Sequence, residues 1–281
     1  MTEINLIENR ISLLESPIEF EEIVDDYLSE TFSEEEIKAI DKLSFRKDKI
    51  EELHNRFTEI YGMDILEPED GFSILNVKDC ERFYAKKYLH RFLSYKCKTG
   101  GANASVDGSA ELFEKISANA AKNYLGNDAK IIMVGEGRVN LTEERLKQIS
   151  NEMYENLGVY CNLPNRAKDD GVDFIVYKPF DTRNIGNLVI LGQACVGKHY
   201  TDKNPIYQRW QDEYITYAVK PPTTLLSVVY FLDADLIRKL HSKFHNSIVF
   251  DRGRIMKYYN TADNVLNNQI IDFVTTNIDD E

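Results

Sequence analysis

The chain has 281 residues, and its 34 Lys and Arg against 47 Asp and Glu give a formal net charge of −13 at pH 7. Such an acidic chain repels nucleic acid on average, so a nucleic-acid function requires a local basic cluster, a divalent cation or a basic partner. No apolar run reaches the roughly 18 residues of a membrane span, and no signal-peptide pattern is visible, which argues against a membrane partner. The cysteines are widely spaced and form no CxxC pair: Cys80, Cys97, Cys161 and Cys195. They predict reduced thiols in a cytoplasmic protein.

Residues 1–98 predict a mainly helical N-terminal region. Ser33 is an N-cap candidate followed by three acids, and apolar residues then recur at helical spacing. Residues 77–95 predict a further helix on which cations are interleaved with aromatic rings. Such a helix could follow a phosphate backbone, and the candidate nucleic-acid-binding residues on it are Lys86, Lys87, Arg91 and Lys96. The alternative interpretation is a solvated helix face over buried rings.

A glycine-rich, polar segment from Thr99 to Ser109 predicts a linker, and therefore a boundary before a second domain at 109–281. An ordered loop is the alternative interpretation of this segment. The second domain alternates helix-like and strand-like patterns. Helices are expected at 110–125, 142–157, 206–219 and 234–244, and strands at 130–134, 172–177, 188–191, 225–232 and 247–250. This order predicts an α/β fold.

Two of the expected strands, 172–177 and 188–191, are short, rich in Val and Ile, and joined by a polar loop, which is typical of a buried antiparallel pair. Asp173 stands at the head of the first strand, and Gln193 follows the second. Polar residues where an apolar strand ends can form a site, or can mark only the return of the strand to water.

The pattern Gly171-Val172-Asp173, a strand, a loop, a second strand and then Gln193-Ala194-Cys195 resembles the PD-(D/E)xK nuclease superfamily. The resemblance is greatest to a subgroup with Gly-Gln-x-x-x-Gly and a later Phe-Asp-Arg, found here at 192–197 and 250–252. It implies a restriction-endonuclease-like α/β core and hydrolysis of phosphodiesters, DNA above all, in defence against phage with a partner protein. It also implies Mg²⁺ or Mn²⁺ bound by Asp173 and Gln193, because hard divalent cations prefer oxygen ligands.

The sequence departs from that pattern where the family carries a lysine, because position 195 is Cys. Lys198, three residues later, is the candidate replacement. The family's upstream glutamate is matched by Glu114 or by Glu155, with Glu152 as a further candidate. An inactive family member that binds nucleic acid or a partner protein is the alternative function. If the nuclease hypothesis holds, the side-chain oxygens of Asp173 and Gln193 should lie about 4–6 Å apart on adjacent strands.

Two further motifs overlap this region. Gly192-x-x-x-x-Gly197-Lys198 matches most of a Walker A phosphate loop, so a nucleotide-binding protein is a third hypothesis, although His199 stands where Ser or Thr is needed. Arg252, in Phe250-Asp251-Arg252, is a candidate phosphate contact. Its alternative role is an ion pair beside a helix cap.

Overall fold

The computed structural model describes residues 3–11, 20–62, 65–66, 73–74, 81–135, 141–158, 170–180, 186–203, 208–243 and 246–278. They form two compact units, one made of residues 1–100 and 261–281 and the other of residues 101–260. The elements in chain order are α1 (Glu3–Ile11), α2 (Phe20–Thr31), α3 (Glu34–Ala39), α4 (Lys42–Asn55), β1 (Ile65–Leu66), β2 (Ser73–Ile74), α5 (Glu81–Lys98), α6 (Ser109–Leu125), β3 (Lys130–Met133), α7 (Glu143–Glu152), β4 (Asn156–Leu157), β5 (Phe174–Lys178), β6 (Leu188–Cys195), β7 (Ile215–Thr216), β8 (Thr223–Val228), α8 (Ala234–Lys243), β9 (Ser247–Phe250), α9 (Arg252–Tyr258) and α10 (Asn264–Asn277).

The first unit is a helical assembly built from α1–α5 and α10. Helix α3 begins with the predicted cap, because the Ser33 side chain accepts from the Glu36 N–H while the Glu36 carboxylate accepts from the Ser33 N–H. Helix α10 packs against α5, where the rings of Phe92 and Phe273 meet edge to face at 5.2 Å. The last helix of the chain therefore belongs to this unit, although the predicted second domain ran to residue 281.

The second unit is built on a five-stranded mixed sheet in the order β3-β5-β6-β8-β9. Strand β5 is antiparallel to both β3 and β6, whereas β6, β8 and β9 run parallel. The predicted antiparallel strand pair is thus confirmed at the centre of the sheet, and the predicted α/β class is confirmed as a mixed α/β fold. The strands form here because short β-branched runs bounded by glycine suit a sheet that is covered on both faces.

The two faces of this sheet are covered by different elements. Helices α6 and α9 share one face, where Tyr124 of α6 meets Tyr258 of α9 with ring centroids 5.1 Å apart. The opposite face carries a hydrophobic cluster in which Ile149 of α7 and Trp210 pack with Ile175 and Leu191 of the sheet. The face from which a side chain projects therefore decides which of these elements it can meet.

The prediction of one helix over 206–219 is wrong for its second half. Residues Trp210–Tyr214 form a π-helical turn, and the chain then extends as β7, which pairs with β4. Gly101 to Gly108 form ordered turns, so the interpretation of this segment as an ordered loop is the one the structure supports. Among the described residues, none of the helices is long and apolar enough to cross a membrane.

Candidate functional site

Asp173 and Gln193 lie on adjacent strands at one end of the sheet, as predicted. The last register pair of β5 and β6 is Phe174 with Gly192, so Asp173 and Gln193 each stand one residue further along. The backbone of Asp173 is held on both sides: its N–H donates to the Gly192 carbonyl at 2.9 Å, and its carbonyl accepts from the Val134 N–H at 2.9 Å. The carboxylate therefore starts from a backbone position fixed by three strands.

Both side chains also project from the same face. A Cβ added to Gly192 would come within 2.1 Å of the Phe174 ring, so these two residues face each other on the α6 side. Because successive side chains alternate along a strand, the neighbouring Asp173 and Gln193 project to the opposite side. Both are partly exposed. The backbone therefore places Asp173 and Gln193 on adjacent strands and directs both side chains to the same face of the sheet.

The Asp173 carboxylate is oriented by a backbone donor of β6. Its Oδ2 accepts from the Ala194 N–H at 2.7 Å. A carboxylate has two oxygens and about four lone-pair sites, so it can accept from more than one partner at once. The bond holds the carboxylate against the strand segment that carries Gln193.

Cys195 lies on the same side of β6 as Gln193, since two residues separate equivalent positions on a strand. Its side chain is buried, with Sγ 3.6 Å from the Gly197 carbonyl oxygen. Burial raises the pKa of the Cys195 thiol; the Lys203 ammonium lowers that pKa in part, and the Asp173 carboxylate raises it further. Position 195, where the resemblance predicted a lysine, is therefore a neutral thiol that supplies no positive charge.

Two lysines follow β6 in the segment that leaves the site. Lys198, the predicted replacement, is exposed in the turn after the strand. Lys203 is also exposed, and its positive charge lowers the pKa of the Cys195 thiol. No sequence pattern indicates Lys203, because a separation of eight residues from Cys195 carries no motif signal.

Glu114 occupies α6, whose N-terminal end approaches the same end of the sheet. The C-terminal end of this helix lies at the other end, where the Leu125 carbonyl accepts from Lys178 Nζ at 3.1 Å. One turn after Glu114, Ser117 donates to Ser227 Oγ at 2.8 Å, and Ser227 is the β8 register partner of Ala194. Glu114 is thus about 4.5 Å along the helix from the Ser117–Ser227 contact, toward the end of β6. However, α6 covers the face opposite to the one from which Asp173 and Gln193 project.

Glu155 lies away from this site, which corrects the prediction that it belongs there. Its Oε2 accepts from the Ala218 N–H at 2.9 Å, and the neighbouring Val219 side chain is adjacent to Gly186, just before β6 begins. From that end of β6 to Gln193 the strand extends roughly 20 Å. Glu152 is at the same end, where its carbonyl accepts from the Tyr177 hydroxyl at 3.0 Å. Helical spacing alone could not tell which end of the sheet α7 would approach.

The candidate nucleic-acid-binding residues of α5 are turned inward. Lys86, Arg91 and Lys96 are only 7%, 6% and 1% exposed, and Lys87 is half-buried. The Lys86 ammonium donates to the Tyr61 carbonyl at 2.8 Å, and the Lys96 ammonium lies 5.0 Å from the Phe273 ring centroid. Neither the predicted phosphate-binding surface nor the alternative of a solvated face describes this helix, because its cations are part of the packing of the first unit.

Arg252 is likewise unavailable as a phosphate contact. Its side chain is 0% exposed, and its Nε donates to the Val229 carbonyl at 3.1 Å. The preceding Asp251 caps α9 by accepting from the Arg254 N–H at 3.0 Å, and it also accepts from the Leu232 N–H at 3.1 Å. The Phe-Asp-Arg motif lies between β9 and α9, and its Asp251 and Arg252 side chains hydrogen-bond to the segment that follows β8. Its role here is structural.

The phosphate-loop hypothesis for Gly192–Lys198 is wrong. A phosphate loop is a turn whose backbone amides surround the ligand at the start of a helix. Gly192 through Cys195 are instead part of β6 and are paired along their length with β8. The next helical segment, Tyr200–Asp202, is a three-residue 3₁₀ turn. Gly192 is required for a different reason, namely the close approach of the Phe174 ring.

Asp173 and Gln193 are the residues at this end of the sheet that could hold a divalent cation. Mg²⁺ is commonly bound through one or two carboxylates together with waters and substrate phosphate; Asp173 offers one carboxylate, and Gln193 offers a neutral amide oxygen. Within the described ranges, no cluster of three or more His, Cys, Asp or Glu side chains could hold a metal ion by itself. Cys97 and Cys195 are buried, while Cys80 and Cys161 lie outside the described residues. Comparison with protein-family models, curated proteins and solved structures gave no match.

Proposed function

We propose that the second unit is a metal-dependent nuclease of the PD-(D/E)xK type, with a restriction-endonuclease-like core, that hydrolyses phosphodiester bonds in DNA. The observation that carries the proposal is the arrangement of Asp173 and Gln193. They are one residue beyond the last register pair of β5 and β6, they project from one face, and the Asp173 carboxylate is oriented by the Ala194 N–H. These are the two oxygen-bearing side chains that such a site requires.

In this mechanism Asp173 and the Gln193 amide oxygen would hold Mg²⁺ or Mn²⁺. The bound cation would neutralise charge on the phosphate and lower the pKa of the attacking water. The contribution of the Ala194 N–H is to hold the carboxylate in one orientation before substrate arrives, so that no reorganisation is needed during the reaction. Cys195 contributes only packing, since burial keeps its thiol neutral.

A positive charge beside the scissile phosphate must then come from the segment after β6. Lys198 and Lys203 are the two candidates, and both are exposed. Lys203 is favoured, because its ammonium already acts on the thiol at the family's lysine position. Because α6 covers the opposite face, the Glu114 side chain would have to pass around the end of β6 to reach the site. That end is where Gly101 lies against Gly197.

A second function is favoured by one specific observation. The neutral thiol at Cys195 removes the cation that the family places beside the scissile phosphate, which is what a catalytically inactive member that binds nucleic acid or a partner protein would show. The two functions differ in one measurement. Supercoiled plasmid is incubated with the full chain in Mg²⁺, in Mn²⁺ and in EDTA, in parallel with Asp173→Asn.

Nicking or linearisation that needs the metal and is lost in Asp173→Asn supports the nuclease. Binding of the plasmid with no cleavage in either metal supports the inactive member. The defence role belongs to the same proposal: cells that carry the wild-type chain should plate phage less efficiently than cells that carry Asp173→Asn. Equal plating by the two strains would remove the defence role while leaving the biochemical proposal to the plasmid assay.

A further inference from the structure

The second unit carries exposed lysines on α8 and in the segment after β6, which we call the α8 patch: Lys198, Lys203, Lys239 and Lys243. Lys243 is in the last turn of α8, and its ammonium donates to the Thr201 carbonyl in the segment after β6. Lys239 is one turn earlier on the same side of the helix, about 6 Å away. This tertiary hydrogen bond thus brings two lysines of α8 next to two lysines that the sequence separates from them by some forty residues.

The position of the turn that receives Lys243 is also fixed from its other side. The ring of Tyr200 lies against that of Tyr230, just after β8, with centroids 5.0 Å apart. His199 faces Asp202 at 3.6 Å within the same segment. The segment that carries Lys198 and Lys203 is therefore held on one side by Tyr230, just after β8, and on the other by Lys243 of α8.

The patch lies on the face from which Asp173 and Gln193 project. The connection from β6 to β8 covers that face, since Trp210 and Tyr214 pack with Ile175 and Leu191. Strands β6, β8 and β9 are parallel and in that order, and crossover connections between parallel strands are right-handed. The connections β6–β8 and β8–β9 are both right-handed and both move to the next strand on the same side, so they cover the same face of the sheet. Helix α8, in the second connection, therefore lies on the face from which Asp173 and Gln193 project.

Of three acids close to these lysines in sequence, one pairs with an arginine; the other two, Asp202 and Asp233, stay charged but are outnumbered by the four lysines. Asp235 pairs with Arg238 at 2.6 Å, Asp202 faces His199, and Asp233 accepts from the Leu236 N–H at 2.7 Å as the cap of α8. Within 186–203 and 208–243, no ion pair engages Lys198, Lys203 or Lys239. On a chain of net charge −13, such a group of exposed lysines is a local field that attracts a polyanion.

From this placement we propose that the α8 patch binds the phosphate backbone of DNA and leads it to the end of β6. This inference rests on the proposed function for its choice of polyanion. It replaces the surface predicted on α5, where Lys86, Arg91 and Lys96 are buried. Lys239 and Lys243 act only on affinity, because neither is part of the proposed metal site.

The test measures the affinity of the full chain for a short fluorescein-labelled DNA duplex by anisotropy, in EDTA, across a series of salt concentrations. Removal of one cation that binds a phosphate lowers the slope of log K against log salt by about 0.9. We expect Lys239→Gln to lower the slope by about one and the double variant Lys239→Gln, Lys243→Gln to lower it by about two. Lys239→Gln leaves the Lys243–Thr201 bond intact, so its effect does not depend on the integrity of that turn.

The matched control is Lys130→Gln, an exposed lysine at the start of β3, at the opposite end of the sheet. It should leave both affinity and slope unchanged. Equal slopes for wild type and the double variant, an equal loss in the control, or no DNA binding by the wild type at low salt would each overturn the inference. The binding assay contains EDTA and so measures affinity without metal-dependent cleavage. If the slope falls in the patch variants but the chain never cuts plasmid in Mg²⁺ or Mn²⁺, the nuclease proposal fails and this inference stands.

Discussion

The Asp173 carboxylate accepts a hydrogen bond from the Ala194 N–H at 2.7 Å, which connects the start of β5 to the strand that carries Gln193. The bond crosses 21 residues of sequence and involves a side chain on one strand and a backbone on its neighbour. The bond therefore fixes the orientation of this carboxylate at the end of the sheet.

Asp173→Asn should separate the effect of the Ala194 hydrogen bond on stability from the effect of the negative charge on cleavage. Asn at position 173 can still accept from the Ala194 N–H, so we expect a change in melting temperature of only a few degrees. Metal-dependent cleavage should fall at least about a hundredfold, since the anionic ligand is lost. Plasmid cleavage and thermal melting check the two expectations. Asp128→Asn, an exposed carboxylate near Lys178 at the far end of the sheet, is the control and should cleave like the wild type.

The two lysines after β6 can be told apart by single substitutions. Loss of a charge that stabilises the developing transition state commonly costs about a hundredfold or more in rate. We expect Lys203→Gln to lose that much cleavage and Lys198→Gln to lose less than about tenfold, because the Lys203 ammonium acts on the Cys195 position. Cys195→Ala should retain most activity. The reverse order of the two lysines in plasmid cleavage rates would assign the cation to Lys198.

Gly101 lies against the end of β6, and its substitution should disturb the site from outside. A Cβ there would come within 2.9 Å of the Gly197 backbone, and its φ of +75° is strained for any other residue. Gly108 has a similar φ of +79° but nothing within 4 Å, so it isolates the strain from the clash. We expect Gly108→Ala to lower the unfolding free energy by about 1–2 kcal/mol and Gly101→Ala to lower it further. Equal losses in denaturant titrations would mean that the close approach to Gly197 is of no consequence.

Glu155 should make stability depend on pH in a specific direction. Burial raises the pKa of this carboxyl above its ordinary value of 4.5. A raised folded-state pKa contributes stability below about pH 4.5, and the contribution is lost as pH rises through the folded-state pKa. Glu155→Gln retains an acceptor for the Ala218 N–H without ionising. Its melting temperature relative to wild type should therefore increase between about pH 4 and pH 8, and a constant difference across that range would show that Glu155 titrates normally.

In the first unit, Glu8 is the acid around which several helices meet. Its carboxylate accepts from Arg56 at 2.6 Å and from the Tyr61 hydroxyl at 2.5 Å, and it lies 2.9 Å from His90 Nε2. Glu8→Gln removes the buried anion that faces Arg56 and should cost about 3–5 kcal/mol of unfolding free energy. Glu52→Gln removes the more exposed partner of the same Arg56 and should cost less than about 1 kcal/mol. Similar losses from both substitutions in a denaturation series would contradict this role of the buried anion.

Local chemistry in the sequence was sufficient to predict the elements that carry the candidate site. Apolar runs too short for a helix and bounded by glycine predicted β5 and the first half of β6, and the apolar stripe of 110–125 predicted α6. The sequence also indicated that Asp173 and Gln193 stand at matching ends of two paired strands, but the nine residues between β5 and β6 left the exact register open. These are properties of neighbouring residues, which a linear pattern records.

Only the tertiary structure decided which charged side chains face water and which end of the sheet each helix approaches. Lys86, Arg91 and Lys96 of α5 are buried because helices far away in sequence, α1 and α10 among them, pack against that helix. The α8 patch exists because Lys243 meets Thr201, and Glu155 is remote because α7 approaches the far end of β5. Helical spacing fixes which residues share a face, but it carries no information on what that face will meet, since the free energy that buries it comes from non-local packing.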